Sequence, residues 1–108
     1  MEFKYPKKIL VGDVEFKIIY DWKSHFGAKF QYPEKDKKPF VKFGMLLIKQ
    51  NPLYFLSMVT HEFKEIIQIE QGARLYNRAE DNYVFHYNHA QHGDMCCRLA
   101  GILDKFIK

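Results

Sequence analysis

"NPLYFLSMVTHEFKEIIQIEQG", residues 51–72, decides how the rest of the chain is read. Asn51 is a good helix N-cap, and Pro52 suits the first helical position, where its missing N–H is no loss. Gly72 is a natural stop, because glycine takes the left-handed conformation that ends many helices. Between these signals Phe55, Met58, Val59, Phe63, Ile66 and Ile67 recur every three or four residues, which is one apolar stripe on a helix. The stretch therefore predicts a helix from Pro52 to about Gln71 with one face in a core.

Upstream the period changes. "KILVGDVEFKIIYD" (residues 8–21) reads as two strands around Gly12-Asp13, with Val14, Phe16 and Ile18 alternating with Glu15 and Lys17. "GAKFQY" predicts a third short strand, and "YPEKDKKP" (residues 32–39) a proline-bounded loop. "FVKFGMLLIK" (residues 40–49) follows as a longer strand, expected to be the most buried. Downstream, Tyr83, Phe85 and Tyr87 alternate with Val84 and His86, which predicts one more short strand. A last helix is expected from near Asn88 to the C-terminus, with the stripe Met95, Cys96, Leu99, Ile102, Leu103 and Phe106. The fold class expected is α+β: an N-terminal antiparallel sheet of three to four strands packed on two helices, as a single domain over residues 1–108.

Composition bounds the class. The chain is 47% apolar and 17% aromatic, enough to build a core and unlike a disordered chain. Its longest apolar run, Gly44 to Ile48, falls far short of the ~20 residues that cross a bilayer, so no membrane partner is expected. The opening "MEFKYPKKIL" lacks the apolar stretch of a secretion signal. Cys96 and Cys97 are neighbours on a helix and point in different directions. They are expected to stay reduced, one of them packing as a small apolar residue. A soluble, cytoplasmic protein is the simplest expectation. The net charge of +4 is uneven: residues 1–54 hold eleven lysines against six acids, and residues 55–108 six basic residues against seven acids. The basic runs "KYPKK" and "PEKDKKP" suit solvated loops, and would also suit phosphates of a nucleic acid.

The chemistry centres on "HEFKE", residues 61–65. His61 and Glu65 are four apart and share one helix face, one turn apart. Glu62 lies about 100° round from His61, able to approach the same point without being a ligand. A catalytic zinc takes three protein ligands and keeps one position open. The start of the last helix offers the third in "HYNHAQHGD". His92 continues the stripe through Cys96 and Leu99, so it is expected to point inward, where a polar ring needs a partner. His89, one turn earlier, is the alternative third ligand, and Asp94 a further choice. His61, Glu65 and His92 make two imidazoles and a carboxylate, a set that suits zinc and also iron(II). His86 is expected to be exposed and His25 to sit in a loop. Tyr76, Tyr83 and Tyr87 suit packing more than catalysis.

His61, Glu62 and a helix-borne third ligand, set in this order of elements over residues 40–108, resemble a minimal zincin. That is the metallopeptidase fold with a sheet, a His-Glu-x-x-His helix and a second ligand-bearing helix. Here Glu65 stands in the place of the second histidine. The resemblance implies a zincin-like fold, His61 as metal ligand and Glu62 as general base on metal-bound water, hence a small metal-dependent peptidase acting on a peptide or protein. The alternative on the same fold is a non-catalytic binding or accessory protein of the phage or mobile-element type, with a structural metal or none.

Overall fold

The structure, a computed structural model, describes residues 1–108. Its elements run β1 (Lys8–Val11), β2 (Val14–Asp21), β3 (Ala28–Gln31), β4 (Phe40–Gly44), α1 (Pro52–Glu70), β5 (Arg74–Asn77), β6 (Asn82–Phe85) and α2 (His89–Asp104). The α+β class holds, but the sheet is mixed rather than antiparallel. Its order is β1-β2-β4-β3, and β2 runs parallel to β4 in the register Ile18↔Val41 and Tyr20↔Phe43. The reason lies in burial. Val41 and Phe43 are fully buried, so β4 takes a central place between β2 and β3 instead of an edge.

Gly12, at φ +59°, makes the turn that reverses β1 into β2. β4 stops at Gly44 and does not reach Lys49. There the chain bends away: the Gly44 N–H donates to Gly27 O, Met45 N–H to Asp21 O and Leu46 N–H to Ser24 O. A side chain at residue 44 has no room, since a Cβ built there falls 1.8 Å from the backbone oxygen of Phe26.

α1 starts and ends almost where its sequence signals place it. Pro52 opens it, although the Asn51 side chain caps no N–H. At its end Gly72 is left-handed (φ +72°), Gly72 N–H donates to Ile69 O, and Ala73 N–H to Gln68 O. This pair of bonds is the Schellman closure. α2 opens on a full capping box, Asn88 accepting from Gln91 N–H while the Gln91 side chain accepts from Asn88 N–H. The single short strand expected near Tyr83–Tyr87 proves to be half of a separate hairpin, β5–β6, in the register Leu75↔Val84. Tyr87 lies outside it.

Both helices cover one face of the large sheet. Ile9, Val11, Phe16, Ile18, Val41 and Phe43 meet the α1 stripe and Met95, Ile102 and Phe106 in a single core. Phe55 is its centre: its ring lies 5.0–6.4 Å from those of Phe3, Tyr5, Tyr20, Phe43 and Phe106, mostly edge-on. No helix is long and apolar enough to cross a membrane.

Two glycine substitutions should move stability in opposite directions. Gly44→Ala forces the Phe26 carbonyl aside and should cost at least about 1–3 kcal/mol. Gly101→Ala sits inside α2 with nothing within 4 Å of the new methyl, and should add about 0.5–1 kcal/mol. Urea unfolding followed by far-UV circular dichroism checks both, and a Gly44→Ala protein as stable as the parent would contradict the close approach.

Candidate functional site

α1 carries its apolar stripe into the core, and this sets what happens on its flank. Val59, Phe63 and Ile66 are fully buried. Glu62, beside them, is only 5% exposed, although it is an acid on the second layer of a two-layer fold. Its one hydrogen-bond partner is the next side chain back. His61 Nδ1 and Glu62 Oε1 are hydrogen-bonded across 3.0 Å, with the ring N–H donating where Glu62 is ionised. The His61 side chain itself is 75% exposed. With Glu62 ionised, that bond places the ring proton on Nδ1 and leaves the Nε2 lone pair free. Burial pushes the Glu62 carboxyl above the ordinary carboxylate range; the His61 hydrogen bond opposes this, and nearby Glu65 adds to it.

Glu65 stands one turn on from His61 as expected, and lines the same cavity of about 420 Å³, with Phe85 and Tyr87 on its far wall. Its carboxylate is already engaged. Arg74 Nε, at the start of β5, lies 3.4 Å from Glu65 Oε1, with both side chains largely buried. The same guanidinium sits 3.5 Å over the Tyr83 ring and 5.7 Å from that of Phe30.

His92 does not point inward. The inner stripe of α2 is Met95, Leu99, Ile102 and Phe106, and followed back one turn it passes through Gln91. His92, one residue on, is swung about 100° outward. Its ring stacks on Tyr87 at 5.7 Å and 9°, and its Nε2 lies 3.7 Å from Cys96 Sγ. Cys96 and Cys97 are both exposed, so neither packs in the core. His89, Asp94 and His86 are exposed as well. The inward position is held instead by Gln91, which the sequence reading passed over. Gln71 Nε2 donates to Gln91 O (2.7 Å) and Gln91 Nε2 to Gln71 O (3.2 Å). Gln71 also donates to Asp94, and Arg98 pairs with Asp94 and Glu70. The end of α1 and the start of α2 are thus joined by amides and an ion-paired arginine.

The donor set suits an ion in its chemistry, two imidazoles and a carboxylate. His61 and Glu65 share one cavity, and His92 lies behind Tyr87, which lines it. No three His, Cys, Asp or Glu side chains are gathered closely enough to hold a metal. An ion at this place competes with Arg74 for Glu65 and with Tyr87 for His92.

Beside this cavity runs a second one, of about 320 Å³, walled by Lys29, Phe30, Gln31, Tyr32 and Glu34 on one side and Glu62, Glu65 and Arg74 on the other. β3 is an edge strand. Gly44 N–H binds Gly27 O, and the register is Ala28↔Phe43. Antiparallel bonding alternates, so residues 27, 29 and 31 face β4, and the N–H and C=O of Ala28 and Phe30 face the open edge. A buried carboxylate, an exposed imidazole and an unpaired strand edge therefore border one groove system. No protein-family model matches the chain, and neither a curated protein nor a solved structure matches it.

The raised proton affinity of Glu62 has a stability consequence whose sign is fixed. The folded chain holds this proton more tightly than the unfolded one. The resulting stability is complete below the ordinary value of 4.5 and is lost as pH rises through the folded value. Glu62→Gln, which keeps the acceptor for His61, should be more stable than the parent at pH 8, with the gap closing towards pH 4. Urea midpoints measured across that range check this, and a gap independent of pH would contradict it.

Proposed function

We propose that this chain is a metal-dependent hydrolase of extended peptides, with Glu62 as the general base. The observation that carries this reading is the His61–Glu62 pair beside the open edge of β3. A peptide laid along that edge as an added strand bonds to the outward N–H and C=O of Ala28 and Phe30. Its carbonyls then run past the wall that holds Glu62 and Glu65. Glu62 is buried and its carboxyl binds protons more tightly than usual, which suits a group that takes a proton from water and returns it to a leaving amine near neutral pH. His61 orients that carboxylate through Nδ1 and offers Nε2 outward.

The ligands of this reading are His61, Glu65 and His92, with His89 as the alternative third. A bound zinc, or iron(II), supplies a Lewis acid for the scissile carbonyl and an acidified water. The chain's own residues bind the peptide and hold the water's proton at Glu62, with Phe85 and Tyr87 as the facing wall.

A second reading is favoured by one contact, the Arg74–Glu65 pair. If that pair persists, Glu65 never reaches an ion, and the chain is a non-catalytic binding protein that uses the β3 edge alone. The two readings separate on metal and on hydrolysis. After reconstitution with zinc or iron(II), metal analysis should give about one ion per chain, lost in His61→Ala and His92→Ala. Glu62→Gln should keep the ion and slow peptide hydrolysis by about 10²–10⁴-fold. Ala28→Pro removes one outward N–H without touching β4 and should weaken peptide binding in either case. A chain that takes up no ion yet binds peptide in an Ala28-dependent way overturns the hydrolase and leaves the binding protein.

A further inference from the structure

The face of the large sheet turned away from the helices is open. Along β2 the residues that point there are Glu15, Lys17, Ile19 and Asp21, since Phe16, Ile18 and Tyr20 point into the core. β1 adds Lys8, β3 adds Lys29 and β4 adds Lys42, with Lys7 and Lys38 at the rim. This face therefore carries six lysines against two acids. The difference, six minus two, equals the +4 of the whole chain, so the rest of the molecule is neutral in sum. The two acids are each tied to one lysine, Glu15 to Lys8 at 3.5 Å and Asp21 to Lys42 at 3.8 Å. Lys17 and Lys29 have no carboxylate partner.

The register makes this charge expensive. Lys8 stands directly opposite Lys17, and Lys29 directly opposite Lys42. Like charges facing each other across two strands destabilise a sheet. Any acid at residue 17 or 29 would relieve that repulsion, so the fold alone gives no reason for these lysines. Two depressions follow them across the face. One, of about 570 Å³, is bordered by Lys7, Lys8, Lys17 and Lys38 with Phe40 at its edge. The other, of about 250 Å³, is bordered by Lys29, Lys42 and Phe26. Phe26 is 76% exposed, and its ring stacks only on His25, at 4.8 Å and 23°. A bare aromatic ring at the end of a lysine track offers a base a stacking surface while the lysines follow its phosphates.

We infer that the open sheet face binds a single-stranded nucleic acid, its backbone crossing Lys17 and Lys29 and one base stacking on Phe26. The track runs over the sheet face turned away from α1, and only Lys29, on the edge strand, also borders the groove that holds Glu62; the site stands whether or not that groove is catalytic. It reads no sequence: lysine is a point charge, and the one amide on this face, Gln31, already donates its Nε2 to Tyr32 O.

The test is fluorescence anisotropy with a labelled oligothymidylate of about a dozen nucleotides, titrated with the full chain from about 50 to 200 mM salt. Binding is expected on the order of 10 µM at the lowest salt, weakening by about 0.7 in log–log slope for each lysine engaged. Lys17→Glu/Lys29→Glu should lower affinity about tenfold or more and flatten the slope by about 1.4. It should also raise the unfolding midpoint, since each like-charged facing pair becomes an opposite-charged one. Phe26→Ala should lower affinity about fivefold or more and leave the salt slope unchanged. Lys49→Glu/Lys105→Glu, the same charge change away from this face, should change neither slope nor stacking. Three results overturn the inference: no saturable binding at the lowest salt, a control variant that loses as much as the sheet-face variant, or a duplex of equal length or anionic phospholipid vesicles bound at least as tightly as the single strand.

Discussion

The seating of α1 on the sheet through Phe55 is the contact on which the other features rest. One ring touches five others drawn from the N-terminal segment, two central strands and the end of α2. It therefore fixes the axial position of the helix and its rotation together. Rotation matters more for function. Once Phe55, Val59, Phe63 and Ile66 face the sheet, residue 62 lies at the border of the buried stripe, residue 61 outside it and residue 65 over the edge strand. A carboxylate at position 62 is then forced into a poorly solvated place and raised in proton affinity, with the exposed imidazole at its side as the one hydrogen-bonding partner within reach.

The parts of the fold that depend on local signals were legible in the sequence. The ends of α1 follow from Pro52 and Gly72, the start of α2 from Asn88, and the β1–β2 hairpin from Gly12-Asp13 between alternating runs. What depends on distant partners was not legible. Nothing local distinguishes a β4 that pairs parallel with β2 from one that extends an antiparallel meander, because the choice is made by where Val41 and Phe43 find a core. β5 went unrecognised because "RLYN" is four residues long and without alternation, its two central residues Leu75 and Tyr76 both exposed. The site shows the same division. His61 and Glu65 share a cavity, as one helical turn requires. The placing of His92 failed over a single residue of phase: counting Cys96 into the stripe moved the inner face from Gln91 to His92, a rotation of about 100°. The His61–Glu62 bond was not legible because adjacent helical residues point apart, and only the burial of Glu62 turns its carboxylate back towards its neighbour.

The joint between the helices bears on how a metal reading is weighed. Two helices that share an ion are cross-linked by it. Here they are already linked at the same end by the reciprocal Gln71–Gln91 amide bonds and by Arg98 between Glu70 and Asp94. The helix pair thus holds its geometry by protein contacts alone, and in that geometry His92 is stacked on Tyr87 rather than gathered with His61 and Glu65. Arg74 adds to this by pairing with Glu65 under the rings of Phe30 and Tyr83.

Arg74 and the lysines of the open face illustrate two ways in which a small fold handles positive charge. Arg74 is sandwiched between rings and paired with a carboxylate, which is how a guanidinium is accommodated inside a fold. Of the sheet-face lysines only Lys8 and Lys42 have a carboxylate partner, and each also faces another lysine, a pattern tolerated because the long stems keep their ammonium groups in water. The first arrangement stabilises the hairpin β5–β6, a two-stranded ribbon that would be marginal alone. The second contributes nothing to the fold and leaves a field that extends into solvent. With the helix side occupied by the core and the groove, the exposed side of the sheet is the one broad surface on which the chain's whole positive excess can act. A field of that kind is set by sequence rather than packing: reversing Lys17 or Lys29 alters it without disturbing any buried residue.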